Sequence, residues 1–235
     1  SRGILGMPYC KHELDLGIKR LKEFGLEPVI MPNALKEIDY LKDHPEDRAS
    51  DLKQAFLDPE IKGIITAIGG DDTYKTIPYL MEDQEFIDAV KNNPKIFTGF
   101  SDTTNNHFML NKLGLSTFYG PCLLVDLAEL DHEMLPYTKE TFLKFFQNEE
   151  SYEIKSSPIW YMERDDFGPS ALGTPRIAKE EKHGYEVLNG SGIVTGKLFG
   201  GCIESIYDIY TSERYGEENE VYTTLFGLNC STNFT

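Results

Sequence analysis

The sequence predicts an α/β fold in which helices cover a parallel sheet of the flavodoxin or Rossmann type. The first observation behind this prediction is that short apolar runs alternate with segments of helical periodicity, which is typical of parallel strands joined by helices. The second is that turn-forming residues directly follow two of the apolar runs, at 69–72 and at 99–103. Open parallel sheets bind ligands at the carboxyl ends of their strands, so these two loops are the candidate site.

The elements of the first domain are predicted in order from apolar spacing and from their end signals. Residues 12–24 carry apolar side chains at helical spacing and end at Gly25, a residue that favours helix C-termini. Pro45 opens a helix through Phe56, with acidic residues in its first turn. The other predicted elements are strands at 28–31, 63–68, 95–98 and 117–119, helical segments within 73–92, a helix from Ser101 through Leu113 and an amphipathic helix at 133–147.

Three regions are predicted along the chain. Residues 1–157 form the α/β domain. Residues 158–191 are predicted to be a linker or exposed loop, because glycine, proline and charged residues dominate there. Residues 192–235 are predicted to be part of a second domain, which opens with the run 192–199 and continues into a helix at 203–210.

Composition and charge restrict the possible functions. The 235 residues carry a net charge of −16 at pH 7, with 40% apolar and 12% aromatic residues. This charge argues against binding to nucleic acid or to an anionic membrane, because both need a basic surface. No apolar run has the length that a membrane span requires, and the amino terminus shows no secretion signal.

The cysteines and histidines indicate neither a disulfide framework nor a metal centre. The four cysteines lie far apart without C-x-x-C spacing, which predicts reduced thiols in a cytoplasmic protein. They are Cys10, Cys122, Cys202 and Cys230. The five histidines lack the spacing typical of metal ligands, so we expect no metal and no other cofactor.

The most informative stretch is Gly99-Phe100-Ser101-Asp102-Thr103. It follows an apolar run and precedes a helical segment, which predicts that Ser101 lies on a turn between a strand and a helix. Such a turn exposes the hydroxyl above the sheet edge, while the helix start directs free N–H groups at negative charge. Because Thr103 replaces the second glycine of the usual G-x-S-x-G pattern, an ordinary helix N-cap is the alternative interpretation.

A second loop, Gly69-Gly70-Asp71-Asp72, follows the strand predicted at 63–68. Consecutive glycines let the backbone approach a ligand closely and expose its N–H groups. The alternative is a structural turn capped by Asp71.

Four motifs occur in order along the chain. They are Gly-Gly-Asp-Asp-Thr-Tyr (69–74), Gly-Phe-Ser-Asp-Thr-Thr-Asn-Asn-His-Phe (99–108), Thr-Phe-Tyr-Gly-Pro (117–121) and Gly-Gly-Cys-Ile-Glu-Ser-Ile (200–206). Together they resemble the LD-carboxypeptidase family of serine peptidases and, within it, the branch of microcin C immunity peptidases. The resemblance implies a smaller β-rich carboxy-terminal domain, with the catalytic site between the two domains.

The resemblance also implies roles for five residues of the two loops. Ser101 matches the nucleophile of the family. The backbone N–H groups of Asp102 and Gly70 are expected to form the oxyanion hole. Gly69 and Asp71 are expected to contact the substrate.

Trp160, the only tryptophan, is open to two interpretations. A single tryptophan is most often part of a hydrophobic core. The resemblance implies instead that Trp160 stacks on the aromatic part of the substrate, as a loop tryptophan does in the microcin C immunity branch.

The resemblance leaves the rest of the catalytic triad unassigned. The family's triad glutamate and histidine are expected beyond residue 235, and the tail 227–235 does not resemble the family. The chain is therefore interpreted as a fragment, a truncated product or a chain with further segments.

No other residue of the chain is assigned as the catalytic base. His107 lies six residues after Ser101, which is about 9 Å along a helix and beyond hydrogen-bond reach. His183 lies in the loop-like region and Glu204 on a predicted helix, where solvated side chains are the simpler interpretation.

Three functional hypotheses follow. The first is a cytoplasmic, homodimeric serine hydrolase that confers antibiotic resistance by cleaving the amide bond of a peptide-nucleotide or aminoacyl-adenylate-like toxin. Its alternative substrate is a murein tetrapeptide. The second hypothesis is a catalytically incomplete binding module that keeps the pocket. The third is a flavodoxin-like regulatory domain, which would need a lysine at a strand end that the sequence does not convincingly offer.

Overall fold

The computed structural model describes residues 4–147, 151–214 and 216–227. Its central sheet has three short parallel strands, β1 (Gly63–Ile65), β2 (Ile96–Gly99) and β3 (Phe118–Tyr119), in the order β1-β2-β3. The register pairs Ile64 with Phe97 and Thr98 with Phe118. The parallel sheet confirms the α/β fold class predicted from the sequence.

Helices surround this sheet. They are α1 (Lys11–Glu23), α2 (Ile38–Asp43), α3 (Pro45–Leu57), α4 (Ile77–Met81), α5 (Gln84–Asn92), α6 (Thr104–Lys112), α7 (Pro136–Lys144), α8 (Ile203–Thr211) and α9 (Glu218–Phe226). Within the described ranges, no helix combines the length and the apolar character that crossing a membrane would need.

The two faces of β1 contribute to two hydrophobic cores, because successive strand residues point to opposite sides. Ile64 packs in a core formed mainly by α3 to α6 together with α8 and α9. Ile65 packs in a second core formed by α1, α7 and the π-helical turn Leu123–Leu127.

Two predicted strands differ from the structure. Residues 28–31 form no strand, and no described strand pairs with them, so Val29 stays 66% exposed. The strand predicted at 63–68 ends at Ile65. Beyond it the Thr66 N–H still donates to the Thr98 carbonyl oxygen of β2, but the carbonyl oxygens of Thr66 and Ala67 accept hydrogen bonds from the start of the π-helical turn.

A two-stranded antiparallel ribbon lies in the region predicted to be a linker. Its strands are β4 (Ile159–Tyr161) and β5 (Ala178–Glu180), and we call residues 159–180 the Trp160 ribbon. Trp160 is paired with Lys179 across the strands.

Glu129 attaches this ribbon to the α/β region. Its carboxylate is 1% exposed and binds the guanidinium groups of Arg164 and Arg176 at 2.6–2.8 Å. Two buried charge-assisted contacts thus converge on one acid, which makes Glu129 the main polar anchor of the ribbon.

The described part of the predicted second domain consists of α8 and α9. The helix predicted at 203–210 is observed as α8, whereas residues 192–199 form neither helix nor strand. Both helices pack on the first core, where Ile209 and Tyr222 are fully buried. The boundaries at 157 and 191 remain a prediction.

Candidate active site

Ser101 lies on a sharp turn between β2 and α6. Its φ of 59° is in the left-handed region, which a residue with a side chain rarely adopts and which costs about 1–3 kcal/mol. The turn is held from two sides. The Ser101 N–H donates to the Tyr119 hydroxyl at 2.9 Å, and the Thr104 hydroxyl donates to the Ser101 carbonyl oxygen at 2.7 Å. Such strain, maintained by its surroundings, is typical of functional sites.

The two loops predicted separately from the sequence meet at this turn. A Cβ atom built on Gly69 would lie 2.7 Å from the Ser101 Cβ and 2.9 Å from its Oγ. No side chain fits in that space, so Gly69 is needed for the close approach of its backbone to the hydroxyl.

Two backbone N–H groups of these loops have no acceptor among the described residues. They belong to Gly70 and Asp102. These are the two groups predicted to form an oxyanion hole, and free N–H groups of this kind can stabilise a developing negative charge.

The acidic residues of the Gly69 loop are ion-paired. Asp71 lies 2.7 Å from the Arg214 guanidinium, and Asp72 lies 2.7 Å from Arg48. Both carboxylates are buried, so these pairs offset their desolvation. The predicted contact of Asp71 with substrate remains a prediction.

Asp102 links the two loops through its side chain. Its carboxylate accepts a hydrogen bond from the Thr73 N–H at 2.9 Å and another from the Asn105 amide at 2.9 Å. The loop after β1 and the turn after β2 are therefore linked through the residue that follows Ser101.

The motif Gly200-Gly201-Cys202 packs against the same turn. The Cys202 N–H donates to the Thr104 hydroxyl at 2.9 Å, and a Cβ on Gly201 would lie 2.5 Å from that oxygen. The glycine is thus required by the contact with the start of α6.

His107 has a structural role in this arrangement. Its ring is buried and bonds to the Gly99 carbonyl oxygen at 2.9 Å and to the Thr117 hydroxyl at 2.6 Å. Burial lowers the pKa of His107, so the neutral ring ties β2 to the start of β3.

The other two side chains considered as bases lie on the surface. His183 is exposed 3.8 Å from Glu186. Glu204 is exposed, and a hydrogen bond from the Cys202 thiol lowers the pKa of its carboxyl. Among the described residues, no group of three His, Cys, Asp or Glu side chains could hold a metal ion.

Trp160 is 44% exposed on β4. This exposure is at odds with the interpretation of Trp160 as a core residue and leaves its ring accessible to a ligand. The Lys179 ammonium lies 5.2 Å from the ring centroid, within cation–π range. The ion pairs of the ribbon, from Arg164 and Arg176, are made with Glu129, which is not part of the Ser101 turn.

Sequence reasoning missed the supporting contacts. The motif at 117–121 contains Tyr119 but indicates no role for it, and the signal in the sequence is its position at the end of the predicted strand 117–119, next to the neighbouring turn. The contacts of Asn105 with α9 connect residues more than 100 positions apart, and no local pattern indicates them.

The sequence model of the LD-carboxypeptidase N-terminal domain matches residues 4–120, which contain both loops. The chain belongs to the LD-carboxypeptidase family. This family consists of serine carboxypeptidase-like hydrolases, and the resemblance seen in the sequence is confirmed.

The similarity to microcin immunity proteins extends over most of the chain. A MccF-like protein from Streptococcus pneumoniae, solved in complex with AMP, is 49% identical and superposes with a TM-score of 0.90 over 95% of this chain and 64% of that chain. The microcin C7 self-immunity protein MccF of Escherichia coli is 28% identical over 207 residues, 87% of this chain and 58% of that protein. Its complex with aspartyl sulfamoyl adenosine superposes with a TM-score of 0.70.

A relative with another described substrate also matches. A probable murein peptide carboxypeptidase of Bacillus subtilis is 35% identical over 150 residues, 63% of this chain and 44% of that protein. The chain therefore spans between about two fifths and two thirds of the length of these family members.

Proposed function

We propose that the protein is a serine peptidase that cleaves the amide bond of a peptide-nucleotide or aminoacyl-adenylate-like toxin, with Ser101 as its nucleophile. The observation that carries the proposal is the strained Ser101 turn, which lies close against Gly69. The N–H groups of Gly70 and Asp102, which have no acceptor among the described residues, support it. The ligands of two similar proteins, AMP and aspartyl sulfamoyl adenosine, support a nucleotide-containing substrate.

The proposed reaction uses this geometry in two steps. The Ser101 hydroxyl attacks the amide carbonyl, and the resulting oxyanion accepts hydrogen bonds from the N–H groups of Gly70 and Asp102. Collapse of the intermediate breaks the C–N bond, releases the amine and leaves an acyl-enzyme, which water then hydrolyses. The proton leaves the serine for a base and returns to the amine.

The base is not assigned to a described residue. By the family resemblance, the triad histidine and glutamate are proposed to lie outside residues 1–235. We therefore expect the 235-residue chain on its own to turn over slowly, because a serine hydroxyl without a base is a poor nucleophile at neutral pH. Turnover that matches a complete relative would contradict this and direct the search to His183 and Glu204.

A murein tetrapeptide is the second candidate substrate. The similarity to the probable murein peptide carboxypeptidase, 35% identical over 150 residues, supports it. The exposed ring of Trp160 favours the nucleotide conjugate, since a purine can stack on it and a murein peptide has no aromatic base. A homodimer in the cytoplasm and a role in antibiotic resistance remain part of this proposal.

The deciding experiment compares both substrates in the full-length protein. We expect release of the amine from an aminoacyl-adenylate analogue, measured by mass spectrometry, and little cleavage of the tetrapeptide. Ser101→Ala should lower the rate by about a thousandfold or more, whereas Ser151→Ala, which removes an exposed serine outside the Trp160 ribbon, should leave it unchanged. Wild-type rates in Ser101→Ala would refute the proposed nucleophile, and preferred cleavage of the tetrapeptide would favour the second substrate.

A further inference from the structure

A continuous chain of buried hydrogen bonds runs from α9 to the Ser101 turn. The Tyr222 hydroxyl donates to the Asn105 side-chain oxygen at 2.6 Å. The Asn105 amide nitrogen donates to the carboxylate of Asp102 at 2.9 Å and to its backbone oxygen at 3.1 Å. The other Asp102 carboxylate oxygen accepts from the Thr73 N–H at 2.9 Å.

Every side chain in this network is removed from solvent. Asn105 and Tyr222 are 0% exposed, and Asp102 is 5% exposed. Each hydrogen bond is therefore strong, and loss of one partner leaves a buried polar group unsatisfied. The position of Asp102 thus depends on Asn105, and the orientation of Asn105 depends on Tyr222.

Glu218, at the start of α9, adds a second buried acid to this network. It is 2% exposed, and its carboxylate is hydrogen-bonded to Asn105. Burial, followed by the negative charges of Asp102 and Asp208, raises the pKa of Glu218 to about 8. Asn105 and Arg214 oppose this rise without cancelling it.

The protonation state of Glu218 follows from these neighbours. At pH 7 its carboxyl is predominantly neutral and adds no negative charge beside Asp102. Above pH 8 Glu218 ionises, and its charge repels Asp102. The groups that face it are Asp102 from the turn, Asn105 from α6, Asp208 from α8, Arg214 from the segment before α9 and Tyr222 from α9 itself.

We propose that α9 positions the catalytic turn, with Glu218 and Tyr222 holding Asn105 so that Asp102 fixes the Ser101 turn against the loop that contains Gly69 and Gly70. The catalytic meaning of this inference rests on the proposed function. Both predicted oxyanion donors depend on the hydrogen bond between the Thr73 N–H and Asp102, which we call the linkage. Gly70 lies in the loop that precedes Thr73, and Asp102 lies in the Ser101 turn. Glu218 and Tyr222 are positioning residues and act only through Asn105.

Amide NMR tests the linkage without requiring catalysis. In the wild-type chain, we expect the Thr73 amide resonance to shift with a midpoint near pH 8, following the ionisation of Glu218. Glu218→Gln should abolish this transition, because glutamine keeps the shape of the neutral acid. Glu220→Gln is the matched control, since it removes an exposed acid from the same helix and should leave the transition intact.

Hydrogen exchange provides a second test, independent of the folding of Glu218→Gln. Tyr222→Phe should lower the protection of the Thr73 amide about tenfold at pH 7, because one buried hydrogen bond of the network is lost. Tyr207→Phe, at a tyrosine that is 51% exposed, should not change it. Persistence of the pH transition in Glu218→Gln, or unchanged protection in Tyr222→Phe, would overturn the proposal.

Labelling of Ser101 by a fluorophosphonate in the full-length protein separates this inference from the proposed function. If Ser101 is labelled but the Thr73 resonance does not respond to the ionisation of Glu218, the positioning role is overturned and the proposed function is not. If the Thr73 resonance follows the ionisation of Glu218 but Ser101 is not labelled, the hydrogen-bond network from α9 to the turn is supported and the hydrolase proposal is not.

Discussion

The α/β region and the segment from the Trp160 ribbon to residue 202 differ sharply in how they are held. In the first, apolar side chains fill two cores and the Ser101 turn is fixed by hydrogen bonds from several elements. In the second, Leu188, Ile193 and Leu198 are 93–99% exposed, and the ribbon relies on ion pairs to Glu129. The proposed chemistry therefore lies in the region held by the two cores and the hydrogen bonds of the Ser101 turn, which we call the frame. The proposed substrate contact lies on a ribbon that is held mainly by ion pairs to one buried acid.

The largest expected effect concerns the frame, through the pH dependence of stability. The pKa of Glu218 rises from 4.5 to about 8 on folding, so the folded protein binds its proton more tightly than the unfolded chain. This contribution to stability is complete below pH 4.5 and is lost as the pH rises through 8, at a cost of about 3–5 kcal/mol.

Urea unfolding at pH 5.5, 7 and 9 measures this contribution. The free energy of unfolding of Glu218→Gln, relative to that of the wild type, should rise with pH across the series. The free energy of unfolding of Glu220→Gln should follow the wild type at every pH. A constant difference between Glu218→Gln and wild type would show that α9 adds no proton-linked stability to the frame.

The ribbon should respond most strongly to loss of its anchor. Glu129→Ala leaves Arg164 and Arg176 without their carboxylate, although these side chains are only 8% and 15% exposed. We expect a loss of about 3 kcal/mol in the free energy of unfolding and faster proteolysis within 159–180. Glu133→Ala removes a 78% exposed acid and should be neutral. Equal proteolysis of both variants would refute the role of Glu129 as the anchor.

Close packing of the frame can be tested at Gly69. Gly69→Ala would place a methyl group 2.7 Å from the Ser101 Cβ and must displace the turn. The rate at which a fluorophosphonate labels Ser101 should fall about a hundredfold, as expected when a reacting group is misplaced. Gly120→Ala is the control, because a Cβ there meets open space. Equal labelling rates in the two variants would contradict the close approach.

The smallest predicted effect is on ligand affinity, through the proposed contact of Trp160 with the substrate. Trp160→Ala should weaken the binding of an acyl-sulfamoyl adenosine by about one to two orders of magnitude, because base stacking on an aromatic ring contributes about 1–3 kcal/mol. Binding of a murein tetrapeptide should be unchanged, and Trp160→Phe should retain part of the adenosine affinity. Isothermal titration calorimetry measures the affinity of both ligands in all three proteins, because the two variants lack the only tryptophan. In the wild type, the change in Trp160 fluorescence is a second readout. Equal adenosine affinity in wild type and alanine variant would favour the murein peptide.

Local patterns in the sequence account for most of the frame. The helix predicted from Pro45 through Phe56 is observed as α3, and the strand at 95–98 as β2, because apolar spacing and end signals are local properties. The meeting of Gly69 and Ser101 also follows from a general rule, namely that parallel strands present their carboxyl ends at one edge of the sheet.

The remaining features depend on contacts between distant residues. The ribbon pairs 159–161 with 178–180 across a long intervening segment, and the sequence shows no tight turn that would indicate it. Residues 28–31 have the composition of a strand but no described strand beside them. The buried network of Asn105 depends on α9, which lies more than 100 residues along the chain.

The central claim is that the strained turn between β2 and α6 makes Ser101 a nucleophile. Peptide mapping by mass spectrometry after treatment of the full-length protein with a fluorophosphonate tests it most directly. We predict one adduct, on Ser101, that is absent in Ser101→Ala and is prevented by prior binding of an acyl-sulfamoyl adenosine. An unmodified Ser101 in a protein that cleaves its substrate, or an adduct on another serine that accounts for the loss of activity, would contradict the claim.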